Sequence, residues 1–501
     1  MKTNLSPNFK PTKPIILIIF QQHKTYFFMK KFIHWKLYLS ALFIFCMLLF
    51  IPSCRKDKVI PTEPIPEGTI VIPSYNQRTG DPVAGYDYLV NGDYIKSGIP
   101  IDIFTSFFGS DDNNELGRSG DNATINYQYT ATNATNGVRI VAPNCLQCHA
   151  QKINGELIVG LGNSMYDFTV NQANGIELVG LGIATLYGAN SPEVKASEDF
   201  IKVTSTIGEH LITDVIGANP ADKLAAVLAA HRNPEDLVWS DDPMLPIPSA
   251  VIPTDVPPFW LLKKKNAMFY NAVGRQDFAR FMMASNLLTV VDTSEAREVD
   301  NRFKDVLAYI MSIEAPAYPE SIDMNLADEG LEIFERKCQN CHGQYGANES
   351  YPNLLIPTNA IGTDPLVAST YQDGYDDFVN WYNMSWFATN PNAASIQPED
   401  GYIAPPLDGI WASAPYLHNG AVPTLEDLLN SSQRPTFWER SFDDSDLDYQ
   451  KVGWNYVVKN SGNGNTVYDT TLPGYGNQGH VYGDDLEGEE RKALIEYLKT
   501  L

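Results

Sequence analysis

The sequence predicts a mainly α-helical protein of two successive domains, with long loops and few short strands. Three observations carry this expectation. A five-residue motif, Cys-x-x-Cys-His, is spelled twice, at residues 145–149 and 338–342. Apolar residues recur at helical spacing near residues 192–203, 221–231, 299–313 and 489–501. The stretches between them are rich in glycine, proline and asparagine, which favour turns over long strands.

A chain of 501 residues is long enough for two or three compact domains. Its 44% hydrophobic and 19% charged residues are those of an ordinary globular protein. The net charge is −24. Residues 1–53 hold seven lysines and no acid, leaving 29 basic residues against 60 acidic ones, a net −31 for the remainder. Such a surface excludes a nucleic-acid ligand, whose phosphates need a basic face. It is compatible with a basic redox partner protein.

Residues 1–53 read as a leader. Met29-Lys30-Lys31 opens a basic segment, and residues 37–51 are almost wholly apolar, the order of an export signal with Met29 as a candidate true start. Pro52 interrupts that run too soon for a membrane span. Ile51-Pro52-Ser53-Cys54 resembles a lipoprotein cleavage site, so the expectation is an exported protein, periplasmic or at the outer membrane or cell surface, with lipid as its only membrane anchor. Residues 54–82 are proline-rich and read as an extended tether.

The first domain is placed at residues 83–316. Val138, Ile140, Val141 and Ala142 lead into Cys145 without helical repeat, so the first motif should follow a strand or loop. Cys145, Cys148 and His149 form the arrangement used for covalent c-type haem attachment, two thioethers with the next residue as the iron's proximal ligand. Cys338, Cys341 and His342 repeat it. A four-thiolate zinc site or a redox dithiol pair would also use the cysteines, but either leaves the histidine after each pair unexplained. Of the six cysteines only Cys46 and Cys54 lie outside the motifs, so no disulfide framework is expected. Six prolines within residues 243–258 argue against regular structure, and they run into Phe259-Trp260-Leu261-Leu262-Lys263-Lys264-Lys265. The lysines read either as a solvated helix start or as cations facing a site. Residues 299–313 form a helix that closes the domain.

The second domain is placed at residues 317–501. Gly330, Phe334 and Cys338 recur every four residues, and this resembles the N-terminal helix of a cytochrome c fold. There a glycine permits a close crossing with the last helix, here near residues 489–501. Between them lies APPLDGIWASAPYLHNGAVPTLEDLL, residues 404–429. It resembles the matching loop of the bacterial di-haem cytochrome c peroxidase superfamily. RPTFWERSF and YDTTLPGYGNQGHVYGDDL look closest to its rubber-oxygenase-like branch.

The resemblance implies two cytochrome c-like domains, each with one covalent haem c, and a calcium ion between them for which no loop spacing identifies ligands. It implies that the second haem is held by two histidines, His342 and the His480 of GHVYG, with His418 beside that haem or as the distal ligand instead. It implies that the first iron, on His149, is open to dioxygen or peroxide, with Phe259 and Trp260 among its pocket walls. His210 or His231 as a distal ligand would turn that haem into a pure electron carrier. The expected activity is oxidoreduction of an organic substrate or a partner protein. An electron carrier without turnover and a cytochrome c peroxidase are the competing readings.

Overall fold

The computed structural model describes residues 62–501. The leader, Cys54 and the first part of the expected tether lie outside the described residues.

The crossing that the resemblance implies at Gly330 is present. The helix Met324–Lys337 is capped by Asp323, whose carboxylate accepts from the Asn325 and Leu326 amides at 3.0 and 3.2 Å. It crosses Gly488–Leu498, which starts on a reciprocal Glu487/Glu490 capping box. At the crossing a Cβ on residue 330 would stand 1.9 Å from the Ala493 carbonyl oxygen, so only glycine fits. Phe334 fills the space beside it, 5.0 Å from the Tyr497 ring. The helix runs directly into the second motif, since the Cys338 amide still donates to Phe334 O at 2.8 Å. Residues Gln339–His342 add one short turn.

The first motif follows a strand, as its sequence suggests. Arg139–Pro143 lies between Ile99–Pro100 and Tyr129–Asn133 in an antiparallel sheet. The Asn144 side chain then accepts from the Leu146 amide at 2.9 Å and turns the chain into Cys145–Gln147. A hairpin follows, Ala150–Ile153 against Glu156–Val159. The expected helices are present as Pro192–Gly208, Ala221–Ala230 and Thr293–Ser312.

The described residues are a mixture of helix and sheet, 37% against 13%. The strands are short, two to five residues, and sit in six small sheets. One of these sheets joins the two halves. Gly274–Gln276 pairs with Ala394–Ile396. Residues 366–388 bring Tyr371, Phe378, Trp381 and Phe387 into the core built around Phe303 and Leu307. In the other direction Leu161, Trp260 and Leu261 enter the core of Phe334 and Leu494.

The stretch read as a tether needs correction from residue 62 onward. It is extended, but it is fastened to the body. Glu63 N donates to Arg336 O at 2.7 Å, Ile70–Val71 pairs with Leu354–Ile356, and Ile72 is buried. Arg78 bridges Asp277 and Asp300, both at 2.7 Å. Prolines fix an extended backbone without forbidding an edge strand, and the apolar side chain of Ile72 supplies the burial that holds it.

Candidate functional site

His342 lines a large cavity whose empty space, counted out to its mouth, is about 1390 Å³. Cys338, Cys341, Tyr402, Pro405, His418 and His480 share its wall. The His342 Nδ1 faces Pro405 O at 2.8 Å. A carbonyl only accepts, so Nδ1 carries the proton and Nε2 keeps its lone pair. This is the outer hydrogen bond that orients a metal-bound imidazole and raises its basicity.

His480 faces His342, with ring centroids 6.2 Å apart and planes at 64°. Two imidazole nitrogens each about 2 Å from one metal, with each ring centre roughly 1.1 Å further out, put centroids roughly 6 Å apart. The spacing therefore suits one metal ion between them. Burial pushes His480 down to about 3, with His342 and Arg434 acting in the same direction, and burial lowers His342 too. Both rings are neutral, the form that ligates.

His418 stands in the same cavity but is held differently. Its ring stacks on Tyr402 at 4.0 Å and 14°, and its buried Nε2 has no partner. That nitrogen can donate to a polar edge of a bound group.

At the first motif, the Cys145 amide donates to the Tyr94 hydroxyl at 3.2 Å, and Asn219 Nδ2 approaches Cys148 Sγ at 3.4 Å. The His149 ring lies against Phe259, centroids 4.0 Å apart and planes at 20°. Its Nδ1 is buried without a partner, and burial pushes the group down to about 3. Trp260, the next residue, turns away from Phe259's contact. It is fully buried in the second core and donates Nε1 to Asp408 O at 2.8 Å, a residue of the second cavity's wall. Phe259 thus borders the first site and Trp260 braces the second. His231 stacks on Trp239 with Nδ1 at 2.9 Å from Ser240 O, and His210 lies beside Glu209. Of the two, His231 is engaged by its own surroundings, whereas the His210 ring makes no hydrogen bond to the protein. The three lysines are paired as well: Lys263 with Glu314, Lys264 with Asp408 and Glu349, and Lys265 with Phe269 O.

The chemistry of the cysteines fits thioether attachment better than a cage of thiolates. Burial pushes Cys145 up to about 11 and Cys338 up to about 12, which keeps both as thiols. All four motif cysteines are free. Among the described residues no three His, Cys, Asp or Glu side chains converge as a metal cage, so the four motif cysteines do not form a common zinc site. The expected calcium likewise finds no such cluster of carboxylates among them.

Three features of this site escaped the sequence reading. The Pro405 acceptor is a main-chain carbonyl and leaves no side-chain signal. Asp255 lines the second cavity, accepts from the Tyr270 hydroxyl at 2.8 Å, and is pushed up to about 7 by burial. Arg434 was visible only as part of RPTFWERSF.

Residues 401–439 match the family model described as RoxA-like, cytochrome c-like. That window holds Tyr402, Pro405, His418 and Arg434. The match relates the chain to RoxA-like c-type cytochromes and implies covalently attached haem c. Two curated relatives are uncharacterized proteins of Sinorhizobium fredii. The protein y4iJ is 31% identical over 256 residues, 38% of this chain and 41% of its own length. The protein y4iM is 28% identical over 313 residues, 54% of this chain and 69% of its own length. The chain thus spans less than half of the first and about two thirds of the second.

Proposed function

We propose that this protein is an exported, lipid-anchored di-haem c-type cytochrome acting as an oxidoreductase, a rubber-oxygenase-like member of the di-haem peroxidase superfamily. The observation that carries the reading is the opposed pair His342 and His480, with His342 Nδ1 fixed on Pro405. In this reading Cys338 and Cys341 would tether the second haem and His342 and His480 would hold its iron, and a haem so held would supply electron storage or transfer. Cys145, Cys148 and His149 hold the first. Haem bound there would supply the reaction with dioxygen or peroxide, and the fold sets its ligation and access.

The chain's own part follows from the contacts. Phe259 fixes the His149 ring and keeps water from that side. His231 is held by Trp239 and Ser240, which argues against it as a second ligand of the first iron. His418, whose buried Nε2 has no protein partner, would donate to a polar group of a haem bound in that cavity. The organic substrate or donor protein meets the first site. Among the described residues no helix is long and apolar enough to cross a membrane, and the anchor in this reading is lipid at Cys54.

The test is absorbance and electron paramagnetic resonance spectroscopy of the purified protein, with haem counted by the pyridine haemochrome assay. Two haems per chain are expected, one low-spin and one that binds cyanide or carbon monoxide. One haem or none refutes the proposal, and two haems that both resist external ligands make the protein an electron carrier. Peroxide-dependent oxidation of the reduced protein would select the peroxidase reading.

A further inference from the structure

His480 reaches the cavity from a segment without regular structure, residues 470–487. Its own backbone is in the left-handed region at φ 47°, unusual for a residue with a side chain. Gly479 before it, at φ 77°, lies so close to residue 362 that a Cβ would fall 2.2 Å from the Gly362 carbonyl carbon. The amide of His480 donates to Ile361 O at 2.9 Å. Something must hold this conformation, because a loose ligand loop loses the advantage of a prepared geometry.

The guanidinium that meets this loop is that of Arg434, forty-odd residues earlier in the chain. All five of its N–H groups are directed at main-chain carbonyls. Nη1 donates to Asn477 O and Gly479 O, both at 2.7 Å, and Nη2 donates to His480 O at 3.1 Å and Leu428 O at 2.8 Å. Nε donates to Asp427 O at 3.0 Å. Three of these acceptors flank or belong to the histidine, and two end the short helix Leu425–Leu428, whose Leu428 lines the same cavity. A planar fork of five donors matches five carbonyls, and no other type of side chain can do so.

We infer that Arg434 is the positioning residue that keeps His480 on its metal, by locking the ligand loop to the cavity wall through the carbonyls of Asn477, Gly479 and His480. This rests on the reading of His480 as an axial ligand. Arg434 touches neither the metal nor a substrate. Its effect passes entirely through the loop backbone.

The experiment compares full-length holoprotein carrying Arg434→Lys, Arg434→Gln or His480→Ala with the wild type, reading the spin state of each haem and carbon monoxide binding after reduction. Lysine keeps the charge and the aliphatic stem but loses the fork, so it is the arm that preserves the fold. Outer partners of metal ligands are worth about 10- to 100-fold in metal affinity. Arg434→Lys should therefore turn part of the low-spin signal high-spin and raise the second haem's carbon monoxide affinity by roughly that factor. His480→Ala should convert that signal completely, and the first haem should stay unchanged in every variant. If His480→Ala leaves the low-spin signal intact, the ligand reading fails. If His480→Ala converts it but the Arg434 variants keep wild-type spectra and carbon monoxide binding, even at a lowered melting temperature, the inference about Arg434 is overturned.

Discussion

Replacing Gly330 by alanine tests the crossing on which the second site is built. The new Cβ would meet the Ala493 oxygen at 1.9 Å, the Ala493 carbonyl carbon at 2.6 Å and the Tyr497 Cβ at 2.8 Å. Ordinary contact begins at 3.4 Å, and the opposing atoms are mostly backbone, which has no rotamer to escape into. The helices would have to part by about 1.5 Å, and a gap of roughly 0.5–1 Å already forfeits a quarter to a half of each dispersion contact. Phe334, Leu494 and Leu498 would lose their partners together. Overpacking costs about 1–3 kcal/mol in cores that can adjust. Since this one cannot, the expected loss is about 3 kcal/mol, even after the gain of about 1 kcal/mol that alanine brings to a helix. The assay is urea unfolding of the holoprotein followed by far-ultraviolet circular dichroism. Gly182 provides the control. It lies in the helix Ile176–Tyr187 with nothing within 4 Å of an added methyl, so Gly182→Ala should stabilise by up to about 1 kcal/mol. A Gly330→Ala protein within about 1 kcal/mol of wild type would refute the steric argument.

Further outcomes are expected. Trp260→Phe removes the hydrogen bond to the part-buried Asp408 carbonyl and should cost about 1 kcal/mol, measured by the same unfolding assay. Phe259→Ala removes the ring stacked on His149, so on the di-haem proposal it should perturb the spectrum of the haem at His149 and leave the one at His342 alone. Asp255 is raised by burial to about 7, so the folded state holds its proton more tightly than the unfolded state does. Its contribution is therefore full below the ordinary carboxylate range and is lost as pH rises towards 7. Asp255→Asn should flatten stability between about pH 4 and 7 relative to wild type, and an unchanged slope would remove this carboxyl from the titration.

Much of the second site was legible because its signals are local. Four-residue spacing placed Gly330, Phe334 and Cys338 on one helix face, and the resemblance to a cytochrome c fold implied the crossing at the glycine. The lack of a helical repeat before Cys145 indicated a strand or loop, and a strand is present. Illegible were the contacts between distant segments. Nothing in residues 366–388 indicates that Tyr371 will reach Asp222, or that Trp381 Nε1 will donate to Arg232 O. An arginine that binds only carbonyls has no partner residue to be recognised by. The same holds for Phe259 and Trp260, which the resemblance put in one pocket but of which one stacks on His149 and the other packs with Phe334 and Leu494. The proline-rich stretch misled because composition reports an extended backbone and says nothing of what lies beneath it.

The fastening of residues 62–72 has a consequence for the order of assembly. Synthesis runs from the N-terminus and domains commonly fold in that order. Yet the seat of Ile70–Val71 is Leu354–Ile356, and Glu63 rests on Arg336 and Asn340 beside the second motif. That seat does not exist until nearly three hundred further residues have been made, and the loop to be closed is correspondingly long. The earliest described stretch to leave the ribosome is thus among the last to dock, and until it does, the flank of Cys338 and Cys341 that it covers stays uncovered.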